Sequence, residues 1–534
     1  MDGLRMLWDL KSMNAIELSI FASRLESVCD EMGSALQRAA FSPNIKDRLD
    51  FSCAVFDSDG ELCAQAAHIP VHLGSMAFAM RDIVACRQWQ QGDMVVLNDP
   101  YMGGTHLPDV TLVAPLFVAD ELLGFVANRA HHANIGGNTP GSMPVSSSLD
   151  QEGIVIPPTL LVEDGEIQHA VLSLITGTSY IEPSKGDCLD DPVMGDFVAQ
   201  ISVNRVGLSR LTLLINELGV NEYLVGLTEL NHYGERIARS AINDIPNGEY
   251  HFVDVLDDDG MGTKDIPIEV VIRIDDYKVD VNFAGTAKQV SGNVNCPLSV
   301  AAAAVLYVFR CLMPAYTPAC AGTFRLIHLD APKGCLLNAT RPAAVAAGNV
   351  ETSTRVVDVI LGALTQAIPE LIPAASHGSM NNVAMGHLAT EKNPRWDYYE
   401  TIAGGMGAHA DGYGLSAVQT HMTNTLNTPI ESLESHYPIR ITRYQIRDAS
   451  GGEGLHCGGN GLIREFEFLQ PTEVSLLTER RSQKPWGANK GEAAKSGENL
   501  LNGKPLPAKI SFHTESGDRL TIKTPGGGGW GATT

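Results

Sequence analysis

Residues 109–132 read "DVTLVAPLFVADELLGFVANRAHH", two β-rich runs on either side of Asp120. This pattern predicts an antiparallel hairpin, because a polar turn residue separates two apolar stretches of strand-like composition. In such a hairpin, residues whose numbers add to a constant lie opposite each other and share a face. With the turn at Asp120 the constant is 240 or 241, so Asp109 is expected to face His131 or His132.

A second histidine lies close to the open end of this hairpin. His106 comes three residues before Asp109, and Pro108 keeps the segment out of a helix, so His106 can fold back over the hairpin end. Adjacent strand residues point to opposite faces, so only one of His131 and His132 should join them. Each residue alone is typical of a surface or core position. Together they predict two imidazoles and a carboxylate, a ligand set for Zn²⁺, Mn²⁺ or Fe²⁺.

A fourth ligand has to come from outside the hairpin. The charged segment "NIKDRLDF", residues 44–51, contains Asp47 and Asp50. Both are carboxylates of the kind that completes such sites, and the spacing does not choose between them.

The composition excludes some classes of partner. The chain has 534 residues, 62 acidic and 38 basic, and a formal charge of -24. Such a surface repels nucleic acid and anionic membranes, so neither is an expected partner. The ten cysteines contain no CxxC pair and are typical of reduced thiols in a cytosolic protein. We therefore expect a cytoplasmic protein.

The patterns along the chain predict an α+β, multidomain mixed fold, with antiparallel hairpins and sheets flanked by helices. Asn14 and Glu17 form a capping-box pattern for a first helix that Pro43 ends, and Pro115 favours an edge strand. Further hairpins are expected around Asp59-Gly60 and Asp275-Asp276, and helices near 298–312 and 352–366. The predicted regions are an N-terminal metal-binding catalytic domain at 1–240, a middle α/β region at 241–370 and a glycine-rich, β-containing region at 371–534.

Familiar catalytic signatures are missing from the sequence. It contains no HExxH, GxSxG, Walker A or paired CxxC motif. A GxGxxG pattern at Gly526, Gly528 and Gly531 has no room for a following helix, so it does not fit a dinucleotide site. We expect this tail to lie close against another backbone instead.

Ordered blocks along nearly the whole chain resemble the hydantoinase B/oxoprolinase family. They include "SPNIKDRLDFSCAVFD", "NDPYMGGTHLPDV", "NRAHHANIGGNTPGSMP", "EGIVIPP", "ETSTRVVDVI", "GGMGAHADG" and "TPGGGGWG". The resemblance implies a hetero-oligomer with an A-type subunit of the actin/sugar-kinase ATPase superfamily. That subunit would use ATP to phosphorylate a substrate oxygen, and the activated intermediate would be processed at a metal site in the B-type chain.

The resemblance also implies ligands for one divalent transition metal, Zn, Mn or Fe. Carried onto this chain, they are Asp47, His106, Asp109 and His131, with His132 as the alternative to His131. Many relatives have Glu in place of Asp47, so the fourth ligand has a shorter reach here. Many also read "HHAD" where this chain reads "HHAN", so Asn134 cannot supply a charged acceptor behind the ligands.

Further candidates surround these ligands. Asp99, His132 and Asn138 are candidates for orienting ligands or transferring protons. A structural role is expected for three residues of family-like blocks, with a place in the pocket lining as the alternative: His72, His409 and Glu351.

Three functions are compatible with the resemblance. The first is the B subunit of an ATP-dependent cyclic amidohydrolase that acts on a hydantoin, 5-oxoproline or a lactam. The second is a subunit of an ATP-dependent ketone carboxylase of the acetone or acetophenone type. The third is a non-catalytic, metal-stabilised partner of the A-type ATPase. The chain length favours the first, because the acetone-carboxylase counterpart is larger.

Overall fold

The computed structural model describes residues 13–66, 69–177, 192–387 and 395–533. The helices are α1 (Ala15–Ala39), α2 (Pro43–Lys46), α3 (Pro70–Ala85), α4 (His169–Thr176), α5 (Pro192–Leu218), α6 (Val220–Asn243), α7 (Leu298–Cys311), α8 (Ser353–Leu364) and α9 (Ile430–His436). The first ten strands are β1 (Phe51–Asp57), β2 (Leu62–Gln65), β3 (Met94–Leu97), β4 (Asp109–Val118), β5 (Glu121–His131), β6 (Thr159–Glu163), β7 (Glu166–Ile167), β8 (Gly248–Asp258), β9 (Lys264–Asp275) and β10 (Lys278–Asn282). The others are β11 (Ile327–Asp330), β12 (Asn382–His387), β13 (Trp396–Glu400), β14 (Ile439–Arg447), β15 (Gly461–Phe468), β16 (Thr472–Leu477), β17 (Glu498–Leu501), β18 (Lys504–Leu506), β19 (Lys509–Thr514) and β20 (Arg519–Lys523).

A seven-stranded antiparallel sheet contains the predicted hairpin. Its strand order is β2-β1-β5-β4-β3-β6-β7. One face packs against α1 and α5, where Val110 shares a core with Leu25 and Phe197. The other face packs against α3, where Phe125 shares a core with Met76. Because helices cover both faces, β4 and β5 are buried over most of their length.

The β4–β5 hairpin pairs Asp109 with His131, as one of the two predicted registers requires. Next to the turn, Val118 pairs with Glu121, so the numbers of paired residues add to 239. A bulge then leaves Leu123 without an opposite residue, and from there to the open end the sum is 240. The bulge therefore decides which residue faces Asp109.

The prediction that Pro115 marks an edge strand is wrong, because β4 lies between β5 and β3. The pairing of β3 with β4 ends at Val113, so Pro115 needs to donate no hydrogen bond on that side. The capping box at Asn14 and Glu17 is present. However, α1 ends at Ala39, and Pro43 begins α2 rather than ending α1.

Three smaller sheets complete the part of the α+β fold that the structure describes. Their orders are β11-β10-β9-β8, β13-β12-β16-β19 and β14-β15-β20-β17-β18. The predicted hairpins β1–β2 and β9–β10 are present, and α7 and α8 lie where helices were expected. Within the described ranges, we find no helix with the length and apolar character needed to cross a membrane.

The glycine-rich tail packs backbone against backbone, as predicted. The Gly527 N–H donates to the Gly459 carbonyl at 2.9 Å. A Cβ on Gly527 would lie 2.0 Å from the Met406 carbonyl oxygen, and one on Gly528 would lie 2.0 Å from that of Trp486. These glycines therefore serve the close packing of one backbone segment against another.

Candidate metal centre

A tight turn after β3 leads the chain into the site. Gly103 has a φ of +103°, a region that favours glycine. A Cβ on Gly104 would lie 2.3 Å from the Asn98 carbonyl oxygen, so this position also needs glycine. The turn returns the chain over the open end of the hairpin and brings His106 next to Asp109.

Three strand ends place side chains in one row. Asp109 on β4 is opposite His131 on β5, and β1 pairs Phe51 with Ala130 on the other side of β5. Asp50, one residue before Phe51, accepts a hydrogen bond on its carbonyl oxygen from the His131 N–H at 3.0 Å. Since side chains alternate along a strand, Asp50, His131 and Asp109 share a face.

The predicted ligand atoms meet in a triangle. Asp109 Oδ1 lies 3.0 Å from His106 Nε2 and 3.1 Å from His131 Nδ1, and the two imidazole nitrogens are 3.3 Å apart. All three side chains are buried. Atoms that share one ion at about 2.1 Å, at angles of roughly 90–109°, lie ~3.0–3.4 Å apart. The spacing of the three donors therefore fits a transition-metal ion.

The second oxygen of Asp109 is fully engaged. It accepts a hydrogen bond from Thr105 Oγ1 at 2.6 Å and from Asn349 Nδ2 at 3.1 Å, and His72 Nε2 lies 3.2 Å away. These contacts fix the carboxylate so that Oδ1 faces the two imidazoles.

Each imidazole is held in a defined orientation. His106 Nδ1 lies 3.3 Å from the Ala346 carbonyl oxygen, which can only accept, so this contact places the proton on Nδ1. The lone pair on Nε2 is then free to bind a cation. The His131 ring is stacked on Tyr399, with centroids 4.7 Å apart and an interplanar angle of 11°.

The electrostatics of the cluster favour a cation. Burial alone would raise the pKa of Asp109, but His106 and His72 hold it well below its usual range. Burial opposes a charge on His106, yet Asp109 raises the pKa of that imidazole. Burial lowers the pKa of His131. Asp109 is therefore ionised and His131 neutral, as metal binding requires, and an ion bound at His106 would displace the proton that the raised pKa of this imidazole favours.

The structure places Asp50, and not Asp47, at the pocket. Asp47 lies half-buried at the end of α2 and is not among the residues that line the cavity. Asp50 lines it, and Asp50 Oδ1 lies 3.9 Å from His72 Nε2. Asp50, the other carboxylate of the same segment, therefore replaces Asp47 as the candidate for the fourth ligand.

The other predicted site residues lie outside this pocket. His132 is on the opposite face of the sheet, where its Nε2 lies 2.9 Å from Gln200 Oε1. Asn138 is exposed. Asp99 is buried and pairs with Arg341, which borders a separate cleft of about 670 Å³.

Of the three residues expected to be structural, only His72 reaches the ligand cluster. Glu351 is buried and accepts hydrogen bonds from the Met380 N–H at 2.9 Å and Asn382 Nδ2 at 2.6 Å. His409 is half-buried in the glycine-rich region, where it forms an isolated bridge with Gly412.

Asn349 and Tyr399 were not predicted from the sequence. Asn349 lies in a π-helical turn, Gly348–Thr352, and Tyr399 lies near the end of β13. A π-helical turn is common at functional sites, but it left no sequence signal beyond the adjoining block "ETSTRVVDVI". The site thus combines residues from all three predicted regions of the chain.

The cavity beside the ligands is small, about 20 Å³. This volume accommodates an ion or a water molecule but not an organic ring. Apolar side chains make up much of the wall: Ile69, Val71, Val350, Met380 and Met422.

The profile of the hydantoinase B/oxoprolinase family matches residues 14–533. The chain belongs to this family. It is 38% identical to 5-oxoprolinase 1 of Arabidopsis thaliana, covering 97% of this chain but only 42% of that longer protein. It is 32% identical to a putative D-/L-hydantoinase B subunit of Pseudomonas sp. strain NS671, covering 98% of this chain and 91% of the relative.

Two solved structures resemble this member of the hydantoinase B/oxoprolinase family. The ATP-dependent caprolactamase of Pseudomonas jessenii superposes with a TM-score of 0.89 at 27% identity, covering 98% of this chain and 92% of that one. Nucleotide-free acetone carboxylase superposes with a TM-score of 0.84, covering 96% and 75% of the two chains, and its 17% identity shows the fold alone.

Proposed function

We propose that this chain is the metal-dependent B subunit of an ATP-dependent cyclic amidohydrolase. The observation that carries the proposal is the buried triangle of donors from His106, Asp109 and His131, 3.0–3.3 Å apart. The names of three relatives, a 5-oxoprolinase, a hydantoinase and a caprolactamase, support a cyclic amide as the substrate.

The donor set defines the chemistry available at this site. A divalent transition metal, Zn, Mn or Fe, held by the three side chains and Asp50 would polarise a substrate carbonyl and activate water. His72 keeps a proton on Nε2, directed at Asp109 Oδ2.

The cavity wall controls access of water and substrate. Its apolar side chains limit bulk water, which strengthens the electrostatic interactions of the ligands. The volume of about 20 Å³ requires a wall residue to move before a ring can enter. Met380 and Met422 suit this movement, because methionine is unbranched and has several rotatable bonds.

In this proposal, ATP is used on an A-type ATPase partner. An amide carbonyl carbon is a poor electrophile, and phosphorylation of its oxygen provides a leaving group. This chain then has to supply the positioning and the nucleophile. The Pseudomonas relative is named as one subunit of a hydantoinase, which supports a separate partner chain.

Reconstitution tests the proposal. The chain is co-expressed with an A-type ATPase subunit from the same genome and assayed with ATP and a hydantoin, 5-oxoproline or caprolactam. We expect one amide to be opened with formation of ADP. The His106→Ala complex should lose this product while its ATP hydrolysis remains measurable.

The outcomes separate the three candidate functions. Product formation by the His106→Ala complex at the wild-type rate would refute the role of the metal centre. Carboxylated product from acetone and bicarbonate would point to the carboxylase alternative. ATP hydrolysis without product from any substrate would point to a non-catalytic partner.

A further inference from the structure

A buried carboxylate that the proposed chemistry does not use lies behind the ligand cluster. Glu152 follows the 3₁₀ turn Leu149–Gln151 and is fully buried. Its Oε1 accepts hydrogen bonds from Ser146 Oγ at 2.7 Å and from the N–H groups of Val345 and Ala346, each at 3.0 Å. Its Oε2 accepts from the Val345 N–H at 3.1 Å. Glu152 therefore holds two successive peptide groups of one loop.

This loop carries the carbonyl that orients His106. The Ala346 carbonyl oxygen lies 3.3 Å from His106 Nδ1, and only one Cα separates it from the N–H that Glu152 binds. On the other side of this carbonyl, the Gly348 N–H donates to the Asn293 carbonyl at 3.0 Å. The carbonyl is thus fixed from both sides, and Glu152 provides one of the two attachments.

We propose that Glu152 is a positioning residue for the metal centre. It fixes the Ala346 carbonyl, the carbonyl keeps the proton on His106 Nδ1, and His106 Nε2 is thereby left free to bind the ion. Metal-binding histidines commonly donate their second N–H to a carboxylate or carbonyl, and loss of that partner weakens metal binding about 10–100-fold. Here the carboxylate acts through a peptide group. The inference rests on the proposed metal centre and is independent of the substrate.

The test compares Glu152→Gln with a matched control. In Glu152→Gln, an amide NH₂ group replaces one carboxylate oxygen. This donor then faces the Ser146 hydroxyl or the N–H groups of Val345 and Ala346, which also donate. Asp257 offers the same chemistry elsewhere, because its buried carboxylate accepts from the N–H groups of Arg481, Ser482 and Gln483. None of these residues lines the metal pocket. Asp257→Asn therefore weakens the hydrogen bonds that hold another loop, and it leaves Glu152, the Ala346 carbonyl and His106 unchanged.

The readouts are the dissociation constant for Co²⁺ or Zn²⁺, the visible spectrum of the Co²⁺ form and the ¹⁵N chemical shifts of the His106 ring. We expect Glu152→Gln to weaken binding at least tenfold, to alter the Co²⁺ spectrum and to shift the His106 Nδ1 resonance. Asp257→Asn should stay within about threefold of wild type. If Glu152→Gln does not fold, Glu152→Asp, which keeps the charge but shortens the side chain, is measured in its place.

Equal metal affinity in the wild type and the Glu152 variant would overturn this inference but not the metal centre. Equal losses of metal affinity in the Glu152 and Asp257 variants would do the same. Failure of the wild-type chain to bind any divalent ion would instead remove the metal centre itself. Metal binding that depends on Glu152 in a protein inactive on every amide would uphold this inference and remove the proposed hydrolase function.

Discussion

Replacement of Asp109 by Asn gives the most direct test of the centre. The substitution keeps the shape of the side chain but removes its charge and one acceptor oxygen. In either amide orientation a donor group is misplaced. In one orientation the amide NH₂ group faces Thr105, Asn349 and His72. In the other it takes the position of Oδ1 between the imidazoles of His106 and His131.

The expected loss in metal affinity follows from the number of ligands. Apparent binding free energies of four-ligand zinc sites are about 10–16 kcal/mol, or roughly 3 kcal/mol per ligand. Loss of the only carboxylate in the triangle should therefore weaken binding about 100-fold. In the metal-free protein, hydrogen bonds to a charged acceptor are replaced by weaker neutral ones, which lowers the free energy of unfolding by roughly 2–3 kcal/mol.

The assay is competition for Zn²⁺ with a chromophoric chelator, together with urea unfolding of the metal-free protein. Asp196→Asn is the control, because that buried carboxylate accepts from the Phe41 N–H at 2.8 Å and the Ser42 N–H at 3.2 Å, and neither residue lines the metal pocket. The control should lose stability but keep its metal. A dissociation constant for Asp109→Asn within threefold of wild type would refute the assigned ligand geometry.

Three further predictions concern other single residues. His131→Ala should weaken metal binding about 100-fold, as estimated for the loss of one ligand, whereas His132→Ala should lower only the melting temperature; equal losses of metal affinity in both would contradict their placement on opposite faces. Asp50→Asn should reduce metal affinity at least tenfold and Asp47→Asn hardly at all, as measured by calorimetric titration. Burial lowers the pKa of His377 to about 3, below the ~6.5 of the unfolded chain, so its stabilising contribution is complete above pH 6.5 and decreases as the pH falls. Between pH 7.5 and 5.5 this amounts to about 1.4 kcal/mol, and urea unfolding of His377→Gln should show a correspondingly weaker pH dependence.

The sequence predicted the hairpin because the turn and the alternation of side chains are both local. It left the register between two values, since the sum of 240 depends on the bulge at Leu123. Ala119 and Asp120 at the turn have φ values of +49° and +65°, a conformation usually marked by Asn-Gly or Asp-Gly. Their identities gave little indication of a two-residue turn, so the bulge that compensates for it could not be predicted.

The choice between Asp47 and Asp50 depended on a contact that no local pattern encodes. β1 and β5 are separated by more than sixty residues, and their pairing places Asp50 beside His131. Leu49, with a φ of +57°, turns the chain between α2 and β1. Because of this turn, Asp47 stays at the end of α2, whereas Asp50 lies beside His131 on the face that also carries Asp109. The family resemblance pointed to Asp47, whereas the sheet topology favours Asp50.

The strand face that carries Asp109 and His131 also explains why the site accommodates so many buried polar groups. Directly behind Asp109 and His131 on the same face, Arg129 donates to Thr111 Oγ1 at 2.7 Å and to the Gly103 carbonyl at 3.0 Å. Burial lowers the pKa of this guanidinium to about 10 and the charge of Asp109 opposes that shift, while no carboxylate within the described residues lies within ion-pair distance. Arg129 therefore offsets part of the negative charge of the ligand cluster, and it also holds the turn that delivers His106. Because one side chain performs both tasks, the register of a single hairpin controls the geometry and the electrostatics of the centre together.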